Sequence, residues 1–194
     1  MKNLKKKYTS LQGKFLISSP NINDTMFKKA LIYIISDNEN GTMGIIINKP
    51  AIKINISSIL GDSVKAIGEQ PRVFYGGPVE LDRGFVLHTD DYKKSENFIK
   101  LDNNLALSSD ISIIKDILLG IGPSKSIFAI GYTGWDSHQL QMEMKNNDWF
   151  EVDLDNEMIF SDNYKSKWKK AISKLGIDSK LLHSAIFSPY TGSA

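Results

Sequence analysis

Tyr75-Gly76-Gly77-Pro78-Val79-Glu80-Leu81-Asp82-Arg83-Gly84-Phe85-Val86-Leu87-His88 holds most of the unusual chemistry of the chain. Phe74 and Tyr75 are predicted to end one short strand and Phe85–His88 to form the next, the two making a central hairpin. Gly76 and Gly77 open the loop between them and are expected to leave backbone amides uncovered, while Pro78 lacks the donor that would continue a ladder. A residue before proline is driven to extended geometry, so Gly77 is expected extended and the chain turns after it. Arg83 then enters the returning strand with a permanent charge, and His88 leaves it.

Toward the N-terminus, Lys14–Ser18 reads as a strand stopped by Ser19-Pro20, and Asp24 is placed to cap one helical turn through Lys28. Leu31-Ile32-Tyr33-Ile34-Ile35 is apolar at every position, which suits a strand buried on both faces. Asp37-Asn38-Glu39-Asn40-Gly41 is turn chemistry, and Thr42–Asn48 returns as a second apolar strand, so a hairpin is expected here. Ser57 opens a short helix or turn ending near Gly61, with loop from Gly61 to Pro71.

Toward the C-terminus, Ser95–Leu107 supplies one or two strands, and Ser108-Ser109 caps a helix with Ile111, Ile114, Ile117 and Leu118 on its inner face. Gly120 or Gly122 ends that helix. Ser126–Tyr132 is a strand that Thr133-Gly134 is expected to turn into a helix from Trp135 to about Lys145. Asp148–Leu154 is a further strand, and a last helix runs from Tyr164 to Leu175 with Trp168, Ala171, Ile172 and Leu175 inward. Strands in runs, with helices between some of them, predict an α+β fold with a mixed, largely antiparallel sheet.

The totals bound the function. A length of 194 residues suits one domain, read as a basic tail over 1–10 and a single body over 11–194. With 41% hydrophobic and 24% charged residues, the composition is that of a globular chain, and no apolar run approaches the length of a bilayer crossing. The basic start lacks the apolar core of a signal peptide, so a cytoplasmic location away from membranes is expected. The absence of cysteine removes disulfides, thiolate nucleophiles and thiolate metal sites. A formal charge of +2 is too balanced for a non-specific nucleic-acid binder, which is not an expected partner.

Each candidate group has a structural rival. His88 could act as a general base, or it could be a strand-end residue bonded to nearby backbone. His88, His138 and His183 are too scattered for a metal site, so neither metal nor cofactor is expected. Arg83 could grip a carboxylate or phosphate through its planar fork, or pair internally with Glu80 or Asp82. Gly131-Tyr132-Thr133-Gly134-Trp135, with Gln139 after it, could offer amides and aromatic walls to a ligand, or simply make a tight turn into the core. Gly120-Ile121-Gly122-Pro123-Ser124-Lys125-Ser126 has the outline of a phosphate loop, but it follows a helix and precedes a strand, the wrong order for that motif. Lys165, Lys167, Lys169, Lys170 and Lys174 flank Trp168 in the last helix, where Lys169, Lys170 and Lys174 read as a solvated outer face.

Taken together, Gly13–Ile17, Gly44–Pro50, Tyr75–Val79, Asp82–His88, Gly131–Trp135, Gln139-Leu140 and Asn147–Trp149 resemble the AlgH/YqgE family of bacterial proteins, in that family's order. The resemblance implies a mixed sheet partly curled toward a barrel with helices around it, and a regulatory label connected with alginate production. It carries over no catalytic residues. Gln141 stands where members often have a glutamate, with Glu143 nearby. The expected function is a non-catalytic regulatory or binding protein holding a small anionic ligand or a protein partner. Its surface would be built from Asn48, Gly76, Gly77, Arg83, His88, Tyr132, Trp135 and Gln139. The alternatives are a hydrolase using His88 as base, with Arg83 or the glycine amides stabilising negative charge, and a DNA-associated regulator.

Overall fold

The computed structural model describes residues 9–54, 56, 67, 70–92 and 98–176. The strands are β1 (Phe15–Ser18), β2 (Leu31–Asn38), β3 (Gly41–Ile46), β4 (Arg72–Tyr75), β5 (Val79–Thr89), β6 (Phe98–Leu101), β7 (Leu105–Ser108), β8 (Ser126–Asp136) and β9 (Trp149–Val152). The helices among the described residues are α1 (Ile111–Leu118), α2 (Gln139–Lys145), α3 (Glu157–Phe160) and α4 (Tyr164–Lys174). The expected basic tail lies almost wholly outside the described residues, as do the predicted Ser57–Gly61 turn and most of the loop from Gly61 to Pro71.

One sheet runs β6-β7-β5-β8-β3-β2-β1-β9 with every neighbouring pair antiparallel, and β4 adds to it in parallel beside β8. The fold is α+β, with a mixed, largely antiparallel sheet. Leu31, Tyr33 and Ile35 face one core cluster while Ile32 and Ile34 face another, so β2 is buried on both sides as its unbroken apolar run requires. Leu101, Leu105 and Leu107 share the first cluster with Phe15 and Val152, although β6–β7 and β1–β9 stand at opposite ends of the pairing order. That meeting requires the sheet to curl into a half-barrel. Its inner side is filled by Ile159 of α3 and by Trp168, Ala171 and Ile172 of α4. Burying a side chain such as Ile172 stabilises by about 1.5–3 kcal/mol. The outer side is covered by α2 through Leu140, and by α1 through Ile113, Ile114, Ile117 and Leu118.

Two predicted elements take a different form. Phe74-Tyr75 and Phe85–His88 do not pair with each other. Residues Ile127–Ile130 of β8 pair with β4 on one side and β5 on the other, so a third strand separates the two. Nor do Thr133-Gly134 turn β8 into a helix. The strand continues to Asp136, where Thr133–Asp136 find partners in Gly41–Gly44 of β3, and α2 starts only at Gln139. In α1, the cap is Asp110, whose side chain accepts from Ser112 N, and Ile113 faces inward while Ile111 is exposed.

Candidate functional site

Gly76 and Gly77 lie where the chain crosses β8. A Cβ at Gly76 would stand 2.2 Å from the Gly131 carbonyl oxygen, and one at Gly77 would stand 2.1 Å from the Tyr132 carbonyl carbon. Two backbones touch here, and only glycine lets them. The Gly76 N–H donates to Ile130 O at 2.8 Å, and Ile46 N–H donates to Gly76 O at 2.9 Å, so this amide is not uncovered. Both glycines are buried. After the crossing, Glu80–Arg83 stand opposite the single residue Gly131 and bulge out of the sheet.

Arg83 sits on this bulge, exposed and paired with Glu80 at 3.0 Å, its guanidinium over the Phe85 ring. Tyr132 joins the same group, its hydroxyl donating to Glu80 Oε1 at 3.5 Å and its ring edge-on to Phe85. The sequence expected a charged side chain beside the paired glycines of a hairpin loop, and the geometry, without that hairpin, brings Arg83, Tyr132, Gly76 and Gly77 to one neighbourhood.

His88 is elsewhere and sealed. It is 0% exposed, with Nδ1 2.7 Å from Thr89 O and Nε2 2.9 Å from Ser108 Oγ. Because a carbonyl can only accept, Nδ1 carries the proton and Nε2 accepts from the Ser108 hydroxyl. Burial pushes its pKa below the usual histidine value, against the opposing pull of the Thr89 carbonyl, Asp91 and Asp90. Asn48 is a brace as well, accepting from Leu31 N and donating to Lys29 O, each at 2.8 Å.

Trp135 and Gln139 meet through Glu143. One oxygen of that carboxylate accepts from the indole nitrogens of Trp135 and Trp149, each at 2.8 Å, and the other accepts from Gln139 Nε2 at 2.8 Å. Gln139 Oε1 in turn accepts from Asp136 N, where the strand ends and the helix begins. Trp135 belongs to the outer core, whereas Tyr132 packs on the inner one. The eight candidate residues therefore occupy several places on the sheet.

Sequence reasoning missed two features. Lys167, one of the basic residues of α4, is fully buried and donates to the carbonyls of Ile47 at 3.0 Å and Ile159 at 2.7 Å, above the face of Phe74. Burial and the Arg72 charge push its pKa down to about 7, with Asp162 pulling the other way. Its place in the stripe Tyr164, Lys167, Ala171 was the available signal. The second is a cleft of ≈ 640 Å³ between the start of β8, the loop after α1 and the far side of α3, carrying Arg72, Lys125, Glu157 and Asp162. The loop that has the outline of a phosphate site borders it and holds one of the protein's own anions: Ser124 N–H donates to the Asp91 carboxylate. Desolvation pushes the Asp91 pKa up, but hydrogen bonds from the Thr89 hydroxyl and from Ser124 outweigh it and hold the carboxylate below its usual range. Among the described residues, no group of three or more His, Asp or Glu side chains is placed to hold a metal ion, and no helix is long and apolar enough to cross a membrane.

Comparison with known proteins places this arrangement among relatives. A family model described as AlgH-like matches residues 15–180. A UPF0301 protein of Methylocella silvestris is 38% identical over 184 residues, covering 90% of this chain and 89% of its own. A UPF0301 protein of Rickettsia canadensis is 40% identical over 175 residues, covering 88% and 92%. The solution structure of the AlgH protein from Pseudomonas aeruginosa is similar over 100% of both chains, with a TM-score of 0.72 and 31% identity. A crystal structure of a Corynebacterium diphtheriae protein shares the fold at 18% identity and a TM-score of 0.70, over 93% of each chain.

Proposed function

The chain belongs to the AlgH-like family, and from that membership we propose that it is a non-catalytic binding protein of the cytosol with a regulatory role. The observation that carries this reading is His88, the side chain best suited by type to be a base. It is closed off from solvent and both its ring nitrogens are already engaged. A general base must reach the proton it removes, and this one reaches only its own fold.

The accessible cations fit recognition better than chemistry. Arg83 on the bulge, and Arg72 and Lys125 in the cleft, are each held by an exposed carboxylate that a ligand or partner anion can replace. Leu81 adds an apolar tip beside Arg83, 54% exposed. A panel of ester, phosphoester and amide substrates tests the reading. No turnover above the buffer blank is expected, and turnover that His88→Ala abolishes would overturn it.

A further inference from the structure

Two ion pairs span the cleft. Lys125 Nζ lies 2.6 Å from each carboxylate oxygen of Glu157. Arg72 reaches Asp162 Oδ1 at 2.6 Å and the Asp162 carbonyl at 2.8 Å. The two carboxylate side chains are 68% and 84% exposed, and pairs this open to water hold their partners loosely. Each cation is thus aimed at a carboxylate that a competing anion can displace at small cost.

The spacing of the cations selects the competitor. Arg72 pairs with Ile127 across adjacent strands, and Lys125 stands two residues before Ile127, so their Cα atoms are about 8 Å apart. Lys125, just before β8, is bonded to Glu157 of α3, and Arg72 is bonded to Asp162 just after α3, so both side chains reach toward that helix. Between them the cleft is lined by polar and apolar residues, Ile127 and Phe160 among the latter, and Gly120 and Gly122 add no side chain to it. A tetrahedral phosphate needs donors converging on one point, whereas here each cation is turned to a carboxylate of its own, Arg72 to Asp162 and Lys125 to Glu157.

We propose that this cleft binds a small aliphatic dicarboxylate, one carboxylate on Arg72 and the other on Lys125, in place of Asp162 and Glu157. The proposal rests on reading the chain as a binder and names what it binds. The carbon spacer passes Ile127 and Phe160, which line the cleft, and the planar guanidinium takes its carboxylate through two parallel N–H donors.

Succinate and glutarate, titrated to about 10 mM into the isotope-labelled full chain, are expected to shift the backbone amides of Arg72 and Ser124–Ile127 saturably. Acetate at matched charge and inorganic phosphate are expected to leave them in place. Arg72→Ala and Lys125→Ala each weaken binding by about tenfold or more, and Glu157→Gln tightens it by freeing Lys125 of its competitor. A response to acetate equal to that for succinate, or no saturable shift in the cleft, overturns the proposal. Shifts clustered around Arg83, or binding of phosphate alone, also overturn it while leaving the protein a binder. Turnover dependent on His88, with no probe bound anywhere, removes both readings.

Discussion

Glu143 accepts three hydrogen bonds on one carboxylate, two of them from tryptophans whose rings stand edge-on with centroids 5.6 Å apart. Hydrogen bonds to a charged acceptor contribute more than neutral ones, and removing the acceptor leaves two indole N–H groups without it in a part-buried place. Glu143→Ala is therefore expected to cost about 2–4 kcal/mol in urea unfolding, with a change in tryptophan fluorescence of the folded protein. Arg83→Ala removes only an exposed pair and is expected to change stability by less than about 1 kcal/mol, seen as an almost unmoved melting curve. Residue types were legible at these positions while their partners were not. Gln139 and Trp135 were visible as candidates, but Glu143 gains its meaning from Trp149, which follows it by six residues across a turn and reaches back to it. His88 met its structural rival, a bond to adjacent backbone, because that interaction is local.

At the level of elements, the crossing of β8 is the feature that local pattern concealed. Tyr75–His88 has glycines, a proline and apolar flanks, all that a hairpin loop displays, and nothing within it announces that β8 will lie between its arms. The apolar runs of β2 and β3 were legible because burial on both faces is written in each residue, and their two-residue turn lies within one stretch. The length of β8 was not, since Thr133–Asp136 are held extended by β3, far away in sequence. Gly77→Ala drives a Cβ into the Tyr132 backbone, which has no rotamer with which to yield, and is expected to cost more than about 4 kcal/mol or to prevent folding. Gly134→Ala meets nothing closer than the edge of the Tyr132 ring at 3.4 Å and is expected to stay within about 1 kcal/mol. Equal losses in the two variants, measured by chemical denaturation, would remove close approach as the reason for Gly77.

For the whole molecule, the buried lysine sets a pH dependence. Lys167 has a pKa of about 7 in the folded chain against an ordinary 10.5, so between these values the unfolded chain binds more protons. Stability therefore rises with pH across that window and is lost as pH falls through about 7, on the order of a few kcal/mol in full. The depressed His88 adds a loss of the same sign at lower pH. Tyr33 and Tyr92, each raised from 10.0 to about 12, reverse the trend above about pH 10. The urea midpoint is expected to be higher at about pH 9 than at about pH 6, and Lys167→Met to flatten that slope. The same variant leaves the Ile47 and Ile159 carbonyls without their donor and is expected to lose about 1–3 kcal/mol at the higher pH. The glycine crossing also imposes an order on synthesis. As the chain leaves the ribosome, Gly76 and Gly77 emerge well ahead of the β8 backbone they must rest against, and β5, β6, β7 and α1 are translated in between. Until β8 follows, that stretch of the nascent polypeptide has only the Ile46–Ala51 backbone, translated before it, to pair with, so the half-barrel is expected to close late, a delay that chaperones attending translation would meet as exposed apolar strand.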